Sequence, residues 1–208
     1  QSKEPELPET TRYNPLFAYR VSPLAAFGVV VAGLSTATFG SVGPIYAIAV
    51  GLDLSQIALF LVVSTVGGMI SQYPAGLLAD RLSRRSVLLV FSVMASTLCL
   101  AMMLPITDLR LFGIPLVYVM SFLFGLTTFP IYSICVAHAS DFVQNDRMIS
   151  LSASLIFLYA SGAIVSPLIA GWIIEQYGAP MMFSLISAAH VALMIYTIYR
   201  NFSRPAET

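Results

Sequence analysis

Six apolar runs divide the chain, at about residues 23–50, 55–79, 86–104, 114–138, 149–174 and 179–199. Each is apolar on all sides, so none reads as a surface helix with one core-facing stripe. A helix of about 20 such residues crosses a hydrocarbon core of roughly 30 Å. A transmembrane barrel would instead show segments of about ten residues with alternating polarity. The pattern predicts an all-α membrane protein of six transmembrane helices. Residues 22–200 form the bundle, 1–21 a polar linker or tail on the cytoplasmic side, and 201–208 a short cytoplasmic tail.

Small residues punctuate the runs. Ser22-Pro23 reads as N-cap and first helical residue of span one, where Gly33, Ala37 and Ser41 recur every fourth position. Ser64, Gly68, Gln72 and Gly76 stack in the same way on span two, with Pro74 expected to kink it. Gly162, Ser166 and Ala170 repeat the device on span five. Such seams on spans one, two and five are expected to pack against a companion bundle. Pro44-Ile45-Tyr46 in span one echoes Pro130-Ile131-Tyr132 in span four, as an inverted three-plus-three repeat would produce.

Composition narrows the class further. The 208 residues are 58% hydrophobic and 10% charged, against about 25% charged in soluble domains. Net charge is zero and no basic patch lies outside the connectors, so nucleic acid is not an expected partner. The first partner is the lipid bilayer. Cys99 and Cys135 both fall inside apolar runs, with no metal-ligand spacing. No nucleophile elbow or phosphate loop occurs, so neither an enzyme activity nor a cofactor is expected.

The basic residues orient the bundle. With the N-terminus inside, Lys3, Arg12, Arg20, Arg81, Arg84, Arg85, Arg147, Arg200 and Arg204 share one side, and Arg110 alone takes the other. This places both termini in the cytoplasm. It also makes Gly76-Leu-Leu-Ala-Asp-Arg-Leu-Ser-Arg-Arg85 a cytoplasmic connector. Each of its charges would cost about 2.5–3.5 kcal/mol at mid-bilayer. Gly76 is expected to admit a close helix approach, and Asp80 to cap or face a helix N-terminus.

That connector resembles the signature loop of the major facilitator superfamily of transporters, with Ser83 where the family usually has Gly. The likeness extends through Gly67-Gly68, Gln72-Tyr73-Pro74, Pro130-Ile-Tyr-Ser, Ala137-His138-Ala139-Ser140-Asp141 and Ala163–Gly171, and so covers about residues 15–204. Within the superfamily it is similar to the bacterial YcaD-type members, a resemblance that implies a bacterial inner membrane. The resemblance implies the C-terminal six-helix half of a twelve-helix secondary transporter. Spans one and four would line a cavity, two and five would meet a second six-helix half, and three and six would face lipid. That half belongs to the same polypeptide or to another chain.

Candidate site residues follow. Gly76, Asp80, Arg81, Arg84 and Arg85 would form a cytoplasmic gate. Ser35, Thr38, Gln72, Thr127, Thr128, Tyr132 and Tyr159 are candidates to line a path for a small solute, although Ser and Thr often bond their own helix. Gln72 reads equally as cavity lining or as glue between helices. His138 with Asp141 is the candidate protonation pair, set against a wetted helix end. His190 reads first as a neutral imidazole bonded to a neighbouring helix, and second as a relay. The function expected is half of an alternating-access transporter, proton-coupled in the full assembly. The alternative is a transporter-like membrane scaffold or assembly subunit.

Overall fold

The computed structural model describes residues 14–106 and 109–203. The readings that rest on residues 1–13 and 204–208, including Lys3, Arg12 and Arg204, lie outside the described residues. The helices are α1 (Phe17–Val21), α2 (Pro23–Ala49), α3 (Leu54–Arg81), α4 (Arg84–Met102), α5 (Leu116–Thr128), α6 (Pro130–Ser140), α7 (Met148–Tyr177) and α8 (Met182–Ser203). Together they supply six helices long and apolar enough to cross a membrane, with α5 and α6 acting as one rod.

Local chemistry sets the ends. The Ser22 hydroxyl accepts from the Ala25 amide at 3.3 Å, with Pro23 in the first turn. Asp53 and Gln56 close a reciprocal capping box at the start of α3, each bond 2.9 Å long. Between α5 and α6, Pro130 has no N–H to donate, so the ladder breaks at Phe129 while the residue keeps helical dihedrals.

Several boundaries depart from the sequence reading. The fourth span starts at Leu116, because Arg110–Leu111 (β1) and Ile114–Pro115 (β2) pair as an antiparallel hairpin. Phe112 and Gly113 sit at its tip with φ of 50° and 83°. Residues 14–21 are not a free polar segment. Ser154 on α7 takes the Ala18 amide at 2.9 Å and donates to the Pro15 carbonyl at 2.7 Å, which docks α1 on the bundle. The α3 helix runs through Pro74 without a break, and α8 continues past residue 199 to Ser203.

The packing has the symmetry of an inverted repeat. The most extensive contacts join α2 to α7 and α3 to α5, with α4 against α8 between them. Spans one and five thus pair as spans four and two do. Glycines make both crossings. Gly33 lies on the Tyr159 backbone carbonyl and Gly162 on that of Val30, while Gly125 lies on Ser64 and Gly67 on Phe122. A Cβ at any of the four would run into main chain, which cannot rotate away. One constant shift carries Val30 onto Phe122 and Gly33 onto Gly125. A second carries Ser64 onto Tyr159 and Gly67 onto Gly162. The first shift puts Pro44 on Val136, so the Pro-Ile-Tyr echo is out of register. Tyr46 is buried edge-on to Phe183, whereas Tyr132 borders an open groove.

The Gly33, Gly67, Gly125 and Gly162 parts of the seams therefore close within this chain, while Ser41, Gln72 and Gly76 stay exposed. Outward faces of α3 and α7 carry large apolar side chains instead, among them Val62, Met69, Tyr73, Ile164, Leu168 and Trp172. Only 28% and 22% of the apolar windows of α3 and α7 are buried, against 61% for α2, so the second and fifth spans are the least covered.

Candidate functional site

The motif connector is shorter than it reads. Asp80 and Arg81 complete the last turn of α3, and Arg84 and Arg85 open α4, leaving only Leu82 and Ser83 between helices. Ser83, not Asp80, caps α4. Its hydroxyl accepts from the Ser86 amide at 3.1 Å and lies 2.7 Å from the Ser86 hydroxyl. Its φ of −64° needs no glycine, which explains how serine stands here. Gly76 is exposed, with open space where a Cβ would point, so it makes no close approach within this chain.

Arg84 organises the charges at this end. Its Nε lies 2.7 Å from Asp141 Oδ2, at the end of α6, and its Nη2 lies 3.9 Å from Asp80 Oδ1. One guanidinium thus ties α3, α4 and α6 together. Asp141 is therefore held by Arg84. His138 packs edge-on against Phe142, with centroids 5.3 Å apart. Asp141 thus pairs with Arg84 and also lies close enough to His138 for their charges to interact.

Above this cluster runs a groove on the uncovered face between α3, α6 and α7. Its lower part, about 200 Å³, is lined by Gln72, Gly76, Asp80, Arg84 and Ser133. Its upper part, about 420 Å³, is lined by Thr36, Gln72, Phe129, Tyr132, Ser133 and Tyr159. Gln72 and Ser133 line both, so the two parts adjoin at this pair. Gln72 Oε1 accepts from the Ser133 hydroxyl at 2.9 Å, so the amide both bridges α3 to α6 and faces the groove. Tyr132 and Tyr159 meet edge to face at 5.2 Å.

Other candidates lie elsewhere. Ser35, Thr38, Thr127 and Thr128 are buried in the bundle and line neither part of this groove. Thr127 bonds the Leu123 carbonyl of its own helix at 2.8 Å. Ser35 donates to the Val31 carbonyl at 2.8 Å and stands 3.1 Å from His190 Nε2, fully buried between α2 and α8. That is the helix-bonding reading of His190. Sequence reasoning missed Ser133 and Phe129. With Tyr132 they fall at i, i+3 and i+4 across the Pro130 break, a single helix face that periodicity alone could have marked.

Comparison with known proteins gives the context for this geometry. The profile of the Major Facilitator Superfamily matches residues 25–207. An uncharacterized MFS-type transporter of Enterobacter sp. (strain 638) is 26% identical over 197 residues, covering 95% of this chain and 49% of the relative. The uncharacterized MFS-type transporter YcaD of Escherichia fergusonii is 23% identical over 206 residues, covering 98% of this chain and 52% of its own length. The YcaD protein of Salmonella arizonae is 21% identical over 187 residues. The chain thus spans about half the length of the curated relatives it matches. No solved structure matches it.

Proposed function

The chain belongs to the major facilitator superfamily, and from that premise we propose that it forms one half of a secondary active transporter for a small solute. The groove carries this reading. It sets Gln72, Tyr132, Ser133 and Tyr159 among largely apolar walls, is open on the face where α3 and α7 lack cover, and reaches Asp80 and Arg84 at its charged end. A second six-helix half set against α3 and α7 would close it into a path. Gln72, Tyr132, Ser133 and Tyr159 then contact the solute. Ser35 and Thr127 bond within the bundle, and the buried Thr38 and Thr128 lie outside the groove.

Gly76, Asp80, Arg81, Arg84 and Arg85 act in this scheme as the gate on the cytoplasmic side of a bacterial inner membrane, with both termini on that side. The 26%-exposed Arg84 side chain lies between carboxylates that are 70% and 46% exposed. Such wetted pairs are individually weak, about 0.2–1 kcal/mol, and so are suited to being made and broken in a cycle. For proton coupling the proposed groups are Asp141 and His138, at the α6 end that Arg84 holds. Protonating Asp141 would release Arg84 and loosen α6 from α4.

The test is solute flux in liposomes containing the full-length protein. Asp80→Asn and Asp141→Asn should lower flux at unchanged protein level. Flux indistinguishable from wild type in both would remove the gate role. A folded, inserted protein that moves none of a broad solute panel would favour a scaffold with a transporter-like fold.

A further inference from the structure

A second cavity lies away from the transport groove, on the outside of the bundle where α1 and the start of α2 meet the end of α8. It has a volume of about 640 Å³ and is lined by Tyr19, Phe27, Ala192, Ile195, Tyr196 and Tyr199 among others. Phe27 and Tyr196 form its floor, edge to face at 5.7 Å. Ala192 to Tyr199 spans about two helical turns, so the trough runs roughly 10 Å along α8. Tyr19 and Tyr199 stand at one end, each more than half exposed.

The chemistry at that end is cationic. Arg20 follows Tyr19 in the last turn of α1, and Arg200 follows Tyr199 in the last turns of α8. Arg200 sits one turn beyond Tyr196, on the same side of the helix. Its Nε is buried and has no hydrogen-bond partner among the described residues. Arg200 also lies close enough to Arg85 for their charges to repel. None of the three helices that form the trough carries an Asp or Glu. An apolar slot with tyrosines at its mouth and two arginines beside them matches one kind of molecule, an amphiphile with a hydrocarbon chain and an anionic head. Tyrosines are at home at this depth of a bilayer, and basic side chains at the interface attract anionic headgroups.

We propose that the α1–α2–α8 trough is a binding site for an anionic phospholipid, with an acyl chain along Phe27, Ala192 and Ile195 and the phosphate held by Arg20 and Arg200. The lipid also fastens α1 to α8, two elements with no other tie between them in the described hydrogen bonds. An interfacial arginine is worth about fivefold toward an anionic lipid, so the two together give roughly 25-fold over a zwitterionic one.

The experiment uses the full-length protein in detergent with equal amounts of palmitoyl-oleoyl phosphatidylglycerol and phosphatidylcholine, read by native mass spectrometry. Wild type should retain phosphatidylglycerol in preference. Arg20→Gln with Arg200→Gln should bring the two lipids to parity, and Ala192→Trp should lower retention of both. Equal retention by wild type overturns the site, as does an unchanged preference in the double arginine variant or unchanged total retention in Ala192→Trp. A variant-free arm guards against misfolding. A phosphatidylglycerol with a diazirine on its acyl chain should label peptides containing Phe27 or 192–199. Label confined to other helices, or Ala192→Cys crosslinking to protein in place of lipid, would also overturn it.

Discussion

Replacing Gly162 with alanine tests the packing at its tightest point. The new methyl would meet the backbone carbonyl of Val30 inside normal contact, with the Leu34 amide nitrogen 3.2 Å away. No rotamer change relieves a clash with main chain, so α2 and α7 must separate along the crossing. Overpacking of this kind costs about 1–3 kcal/mol. The gain in helix propensity from Gly to Ala, about 1 kcal/mol, offsets part of it. The net loss expected is therefore about 0–2 kcal/mol, and the deficit relative to Gly171→Ala, which gains the same propensity, about 1–3 kcal/mol. Gly67→Ala at the symmetry-related crossing should behave alike. Gly171→Ala and Gly76→Ala point into open space and should be neutral or stabilising. Cys99 and Cys135 are free and fully buried, so a thiol-reactive dye in a thermal ramp reports unfolding directly. Gly33→Ala combined with Gly162→Ala should cost less than the sum of the two, because one separation serves both. A Gly162→Ala protein as stable as Gly171→Ala would refute the crossing.

Three other outcomes follow from the same geometry. Ser83→Gly should cost only a few tenths of a kcal/mol and Ser83→Ala about 1 kcal/mol, measured in the same ramp, since Ser83 is a cap and not a strained turn. Gln72→Leu removes the bond to Ser133 at a cost of about 0.6 kcal/mol, yet should change flux or solute preference well beyond that; a matching small change in both would take Gln72 out of the path. Single cysteines at Gly51, Gly113 and Gly178 should react with an impermeant maleimide added outside intact cells, and those at Ser83 and Asn145 should not; the reverse pattern would invert the membrane orientation.

Much of the fold was legible because the bilayer imposes it. Length and apolarity alone separate six spans, since any segment that crosses must satisfy its own backbone. The Gly76–Arg85 connector was readable because charge is expelled from hydrocarbon. The YcaD-type resemblance agreed with the family and the relatives found by comparison. The site was less legible. A list of mid-depth polar residues does not say which way each points, and only Gln72, Tyr132 and Tyr159 of the seven lining candidates reach the groove. Ser133 escaped because a serine in a membrane helix reads as bonded to its own backbone.

The sequence by itself determined the six crossings, the charged turn between the second and third, and the positions of the small residues. Only the tertiary structure decided what those small residues do. A glycine stripe has the same spacing whether it meets a neighbour inside the chain or outside it. Here Gly33, Gly67, Gly125 and Gly162 are consumed by two internal crossings. It also decided which carboxylate holds Arg84, because Asp141 comes from a helix more than fifty residues away. Helix spacing along the chain is set by local sterics and so is written locally. The choice of partner face depends on which helices arrive together, and that is a property of the whole bundle.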